Sequence, residues 1–192
     1  MKIRFAEISD APSLLAIYSQ YIETAITFEY SLPNASEFEK RIENIIETYP
    51  YLVLEEDEKI IGYAYAHKYM ERAAYQWNAE LSIYLDKSHV SKGFGKKLCL
   101  VLIEILKAQG VKTVYSLITS PNIKSEKLHR SLGFRNVGMY RNVGYKSGEW
   151  RNVSIFEKQI GEYSINPNTI VSIKEIGFDI IEKIINENLS DK

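Results

Sequence analysis

The chain has 192 residues, of which 45% are hydrophobic and 26% charged, with a formal net charge of −1. That length suits one domain, or one with an appendage, and is enough to bury a substantial core. The near-neutral balance argues against a nucleic-acid surface or polybasic membrane anchor, the single cysteine excludes an intramolecular disulfide, and no residues have metal-ligand spacing.

In chain order, residues 2–6 read as a strand starting almost at once, with no apolar signal region; no apolar run is long enough to cross a bilayer, so cytoplasmic residence is the expectation. Ser9-Asp10-Ala11-Pro12 is a helix start, a capping residue followed by a proline tolerated in the first turn. Leu14, Leu15, Ile17, Tyr18, Tyr21 and Ile22 recur at helical spacing to about Thr24. A loop through Thr27-Phe28-Glu29-Tyr30 leads to a second helix over 35–48, with Phe38, Ile42, Ile45 and Ile46 on one face. Residues 51–55 and 59–68 read as a hairpin around Glu56-Asp57-Glu58, and 77–85 as the next strand.

A glycine loop then opens a helix over 95–109 that Gly110 closes. Cys99 sits among its apolar residues and reads as core, with no activating base adjacent in sequence. A strand over 112–119, a helix over 124–132 and a hairpin with arms at 138–141 and 154–159 follow, the last around residues 146–150. The alternation predicts an α/β fold, a mixed sheet with flanking helices. Asn166-Pro167-Asn168 breaks structure beyond Tyr163, and Ile173, Ile176, Ile180, Ile184 and Leu189 then mark the stripe of a late helix. The division expected is a domain over 1–163 and a helical extension over 164–192, the stripe docking on its own domain or against a second copy.

The most informative segment is His89-Val90-Ser91-Lys92-Gly93-Phe94-Gly95-Lys96-Lys97-Leu98 between a strand and a helix. Gly93 and Gly95 let backbone N–H groups approach an anion, and the helix N-terminus adds unpaired donors and positive dipole charge. The loop lacks the Lys-Ser/Thr of a P-loop, and the third glycine and acidic partner of a dinucleotide-binding turn. It resembles the phosphate loop of GNAT N-acetyltransferases, with Pro121-Asn122 after the next strand and Leu132-Gly133-Phe134 after the next helix. The resemblance narrows to phosphinothricin and methionine sulfoximine N-acetyltransferases through Thr27-Phe28-Glu29, 62–66, 72–77, Leu128-His129, Gly144-Tyr145-Lys146 and Trp150, in family order over 3–160.

That resemblance implies a GNAT fold with splayed central strands, acetyl-CoA as cosubstrate, no metal, and a homodimer. It implies that Ile83, Tyr84 and Leu85 pair with pantetheine, that Ser91, Lys92, Gly93, Phe94, Gly95 and Lys96 hold the pyrophosphate, and that Asn122 bonds the pantetheine arm. Glu80 takes the place of the catalytic glutamate. A free glutamate, near pKa 4.3, is a poor base for an ammonium, but burial raises it. His129 stands where many relatives have a proton-donating tyrosine, and an imidazole suits either acid or base work. His67 and His89 read as structural. Arg72 suits a substrate carboxylate, Phe28 and Tyr75 an aromatic wall, and Lys146 a second positive charge. Met70 replaces a lysine found in phosphinothricin-resistance enzymes, and Val90 the Arg or Gln that usually starts the loop motif.

The function expected is transfer of acetyl from acetyl-CoA to the amino group of a small amino-acid-like substrate of the phosphinothricin or methionine sulfoximine/sulfone type. The alternatives are another small amine, a protein N-terminus, or a catalytically silent acyl-CoA-binding module.

Overall fold

Seven strands make one mixed sheet in this computed structural model, which describes residues 1–189. They are β1 (Lys2–Phe5), β2 (Tyr51–Glu56), β3 (Lys59–Lys68), β4 (Asn78–Leu85), β5 (Thr113–Ser120), β6 (Arg135–Lys146) and β7 (Glu149–Gln159), in the order β1-β2-β3-β4-β5-β7-β6. Only β4 and β5 are parallel, because the chain between them crosses over through a helix rather than a hairpin. The helices are α1 (Ala11–Ser19), α2 (Ala35–Ile46), α3 (Phe94–Ala108), α4 (Ile123–Ser131) and α5 (Phe178–Leu189).

Alternation along the strands sorts side chains to two faces. Leu52, Leu54, Ala64, Ala66, Ala79 and Leu81 share a core with Leu98, Val101, Leu102, Ile105 and Leu106 of α3. Tyr51, Val53 and Tyr63 pack instead with Leu14, Ile17 and Tyr18 of α1 and Phe38 and Ile42 of α2. Cys99 is buried in the α3 core, and that burial pushes its thiol up to about 12, so it is an inert packing residue. Among the described residues no helix is long and apolar enough to cross a membrane.

Two elements differ from their sequence-based outlines. The last hairpin is much longer than expected: Ser147 and Gly148, at φ 54° and 80°, make a two-residue turn that keeps the strands paired from Lys146↔Glu149 onward. The side chains of β6 are largely exposed, which hid that strand from a reading based on apolar alternation.

The late isoleucine stripe is not one helix. Ile173 belongs to a short 3-10 turn, Ile173–Glu175, and α5 begins only at Phe178. Ile173 and Ile181 are buried in the α3-side core of their own chain, whereas Ile180 is half exposed. Backbone and side-chain bonds fasten the approach: Gln109 Nε2 donates to Thr48 O and Val171 O, both at 2.8 Å, and Ser172 Oγ donates to Glu47 O at 2.8 Å. Of the two arrangements expected for the stripe, Ile173 and Ile181 take the one that packs on their own subunit. Residues 190–192, counted in the expected extension, lie outside the described residues.

Candidate active site

The defining feature is where two neighbouring strands part. β4 pairs with β3 along its whole length, from Lys68↔Ala79 to Gly62↔Leu85, but with β5 only at Asn78↔Thr113, Ala79↔Val114 and Glu80↔Tyr115. β5 meanwhile stays paired with β7 to Ser120↔Asn152. Beyond Glu80 the facing edges of β4 and β5 are therefore unzipped, leaving extended backbone to pair with something else.

A cleft between Leu81–Tyr84 and Ser116–Thr119 occupies the wedge, closed by Asn122, Ser125, His129 and Ile26. Ile26, Ile83, Asn122 and Ser125 also line a larger groove of about 540 Å³, which runs past Leu85, Val90, Ser91, Gly93, Gly95 and Lys96. Of the residues expected to hold a cosubstrate, Ile83, Leu85, Ser91, Gly93, Gly95, Lys96 and Asn122 line that groove. Tyr84 borders only the wedge, its ring turned into an aromatic cluster with Tyr18, Tyr21 and Tyr63. Phe94 packs on the core, and Lys92 is exposed beside the loop rather than lining it.

The loop geometry follows from its residues. Gly93 caps α3 at φ 87°, a backbone state that disfavours a side chain, and open space lies where its Cβ would be. Gly95 is buried, and a Cβ there would meet Ile83, Leu128 and Leu85 at 3.3–3.5 Å. In the first helical turn Lys96 N donates to Gly93 O at 3.0 Å, so the N–H groups ahead of it are the ones that suit an anion. Lys87, Lys96 and Lys124 line the same groove.

Two further polar groups suit an extended ligand in the wedge. Asn122 caps α4 through Oδ1, which accepts from Ser125 N at 3.2 Å, so its offering to the groove is the Nδ2 donor. Ser116 Oγ is buried without a hydrogen-bond partner among the described residues. Sequence reading missed Ser116, because nothing in Tyr115-Ser116-Leu117 announces that β4 turns away there.

Glu80 is the last β4 residue paired to β5, so it marks the vertex of the wedge. Burial raises its carboxyl above the ordinary glutamate range, while His67 works the other way. The register puts His67 directly opposite Glu80 on β3 and Tyr115 opposite it on β5, giving a row across one sheet face. Tyr69 stacks on Tyr115 with ring centroids 4.1 Å apart. Sequence reading set His67 aside as structural; the hairpin register is what places it opposite Glu80.

His129 is 3% exposed on α4, its ring against Phe134 and Phe156. Ser125 O lies 2.8 Å from Nδ1, and a carbonyl can only accept, so Nδ1 carries the hydrogen and Nε2 is the basic nitrogen. Burial lowers the imidazole's pKa, keeping it neutral at pH 7.

Of the residues expected to hold the acceptor, Met70, Arg72 and Tyr75 are exposed on the segment between β3 and β4, with Arg72 capping the short turn Ala73–Tyr75. Phe28 leans on Gly144 of β6 so closely that a Cβ there would come within 2.3 Å of its ring. Lys146 is corrected. It is buried, and its ammonium donates to Thr27 O at 2.7 Å and Glu29 O at 2.6 Å, so it struts the loop that carries Phe28 rather than facing a substrate. Tyr18 OH with Thr27 Oγ1 at 2.6 Å, Tyr30 OH donating to Tyr145 O at 2.6 Å and Arg41 with Glu29 fasten the same loop. Among the described residues no group of three His, Cys, Asp or Glu side chains could hold a metal.

Comparison with known proteins agrees with this geometry. Residues 3–155 match the family described as "Acetyltransferase (GNAT) domain". A phosphinothricin N-acetyltransferase of Streptomyces viridochromogenes is 32% identical over 92% of this chain and 96% of its own. An L-methionine sulfoximine/L-methionine sulfone acetyltransferase of Salmonella typhimurium is 29% identical over 85% of this chain and 97% of its own. A crystal structure of a GNAT superfamily phosphinothricin acetyltransferase from Sinorhizobium meliloti in complex with acetyl-CoA superposes with a TM-score of 0.84, at 33% identity over 88% of this chain and 94% of that one. The unzipped strands, the glycine loop and a family match across most of the chain lead to one conclusion: the chain belongs to the GNAT acetyltransferases, enzymes that take their acetyl group from acetyl-CoA.

Proposed function

We propose that this enzyme acetylates the α-amino group of a small amino-acid-like substrate by direct transfer within a ternary complex. The observation that carries the reading is the position of Glu80 at the vertex where β4 and β5 part, with the wedge running into the glycine-loop groove. The cosubstrate fits the residues present. The donors at Ser91–Lys96 and the lysines along the groove suit a pyrophosphate, and the free edge of Ile83–Leu85, Asn122 Nδ2 and Ser116 Oγ suit an amide-bearing arm. Acetyl-CoA supplies the thioester; the remaining chemistry belongs to the chain.

An ammonium substrate must lose one proton before it attacks and a second as the amide forms, while the departing thiolate needs one. Glu80, with its carboxyl raised by burial, takes the first. The basic Nε2 of His129 suits relaying the second from nitrogen to sulfur, a shuttle that leaves the imidazole neutral at the end. Arg72 offers a planar pair of donors to a substrate carboxylate, with Tyr75 and Phe28 as walls.

Relatives named for phosphinothricin and for methionine sulfoximine and sulfone support an amino-acid substrate. Met70 adds no charge beside Arg72, which favours methionine sulfone or sulfoximine over phosphinothricin. Steady-state kinetics on the three compounds, read as thiol release, test this. The sulfone or sulfoximine should lead in kcat/KM by about tenfold or more, the worth of one charge-assisted contact. Equal or better use of phosphinothricin overturns the role given to Met70.

A further inference from the structure

We propose that His67 is a positioning residue for the transfer step, acting through Glu80 as the charge partner that keeps its carboxylate ionised. The inference rests on the reading of Glu80 as the base. His67 and Glu80 are direct cross-strand partners on β3 and β4, where side chains lie with Cβ atoms about 4.5–5.5 Å apart. A local contact orients the imidazole: Lys68 O sits 3.0 Å from Nδ1, which must donate to it, leaving Nε2 as the ring's other nitrogen. His67 is half-buried, so a charge there is less screened than at the surface.

The other groups facing this pair do not replace it. On β3, Tyr65 places its ring 6.0 Å from that of His67, and its phenol is raised by burial. Across Glu80, the Tyr115 phenol is raised to about 12 by burial and Glu157, so it is neutral at working pH. Tyr69, stacked on Tyr115, is raised as well. Arg41 of α2 acts on Tyr65 but is ion-paired to Glu29. Among the described residues, His67 is the charge partner that opposes the burial of the Glu80 carboxyl.

The test is the pH profile of kcat/KM. His67→Asn keeps a donor for Lys68 O and removes the charge, whereas His67→Lys keeps a positive charge. The acidic limb should move up by roughly 0.5–1 pH unit in His67→Asn, the size of one partly screened charge, and stay at or below its wild-type position in His67→Lys. A role in packing alone would leave the limb in place in both, and that result overturns the proposal. Glu80→Gln separates the two readings. If it abolishes the limb while His67→Asn leaves it unmoved, only the His67 proposal falls; if it keeps wild-type turnover and profile, Glu80 is not the base and both fall.

Discussion

At the scale of single residues, burial decides what each titratable side chain can do. Glu80→Gln should lower turnover by about 10²–10⁴-fold with acetyl-CoA affinity nearly unchanged, since the carboxylate is proposed to handle a proton and does not line the groove. Single-turnover assays beside calorimetry check this, and unchanged turnover removes Glu80 from the mechanism. His129 makes the opposite titration argument. Its folded-state pKa is lowered, so the unfolded chain binds more protons between the two values and stability rises with pH across that window. His129→Gln should flatten that rise in urea midpoints measured through the histidine range, besides impairing the chemical step. Lys146→Met would keep the stem but strand two carbonyls; a loss of about 2–3 kcal/mol in denaturant melts, with a raised KM for the amine, is the expected outcome. An unchanged melt would show that the strut is dispensable.

At the scale of elements, the strand-loop-helix unit β4 to α3 lines the groove proposed for the cosubstrate. Gly95→Val should weaken acetyl-CoA binding severely in calorimetry, because its side chain would press on Ile83, Leu128 and Leu85 at the turn into the groove. Gly93→Val should act through backbone strain instead, at about 1 kcal/mol or more, since open space surrounds the position. Wild-type affinity in both variants would mean that the loop does not hold the phosphates. The glycine loop itself was legible because glycines, lysines and a helix start are local signals. The wedge was not: pairing of β4 and β5 stops at Glu80 although Leu81-Ser82-Ile83-Tyr84-Leu85 keeps full strand character.

At the scale of the whole molecule, the C-terminal segment completes the core on the α3 side. Deleting everything after Tyr163 exposes surface that Ile173 and Ile181 cover, each worth roughly 1.5–3 kcal/mol when fully buried, so the melting temperature should fall clearly. A truncated chain that melts with the full one would mean the segment only rests on the surface. The homodimer implied by the family resemblance is tested by light scattering of the same two chains. By itself the sequence determined the order and type of most elements, the glycine loop and the family, because helix periodicity, caps and loop chemistry are local. The register decided that His67 faces Glu80, the crossover through α3 made β4 and β5 parallel neighbours that part beyond Glu80, and three-dimensional packing turned Lys146 inward and laid the isoleucine stripe on α3. Those facts depend on residues far apart in sequence becoming neighbours, which only the folded chain brings about.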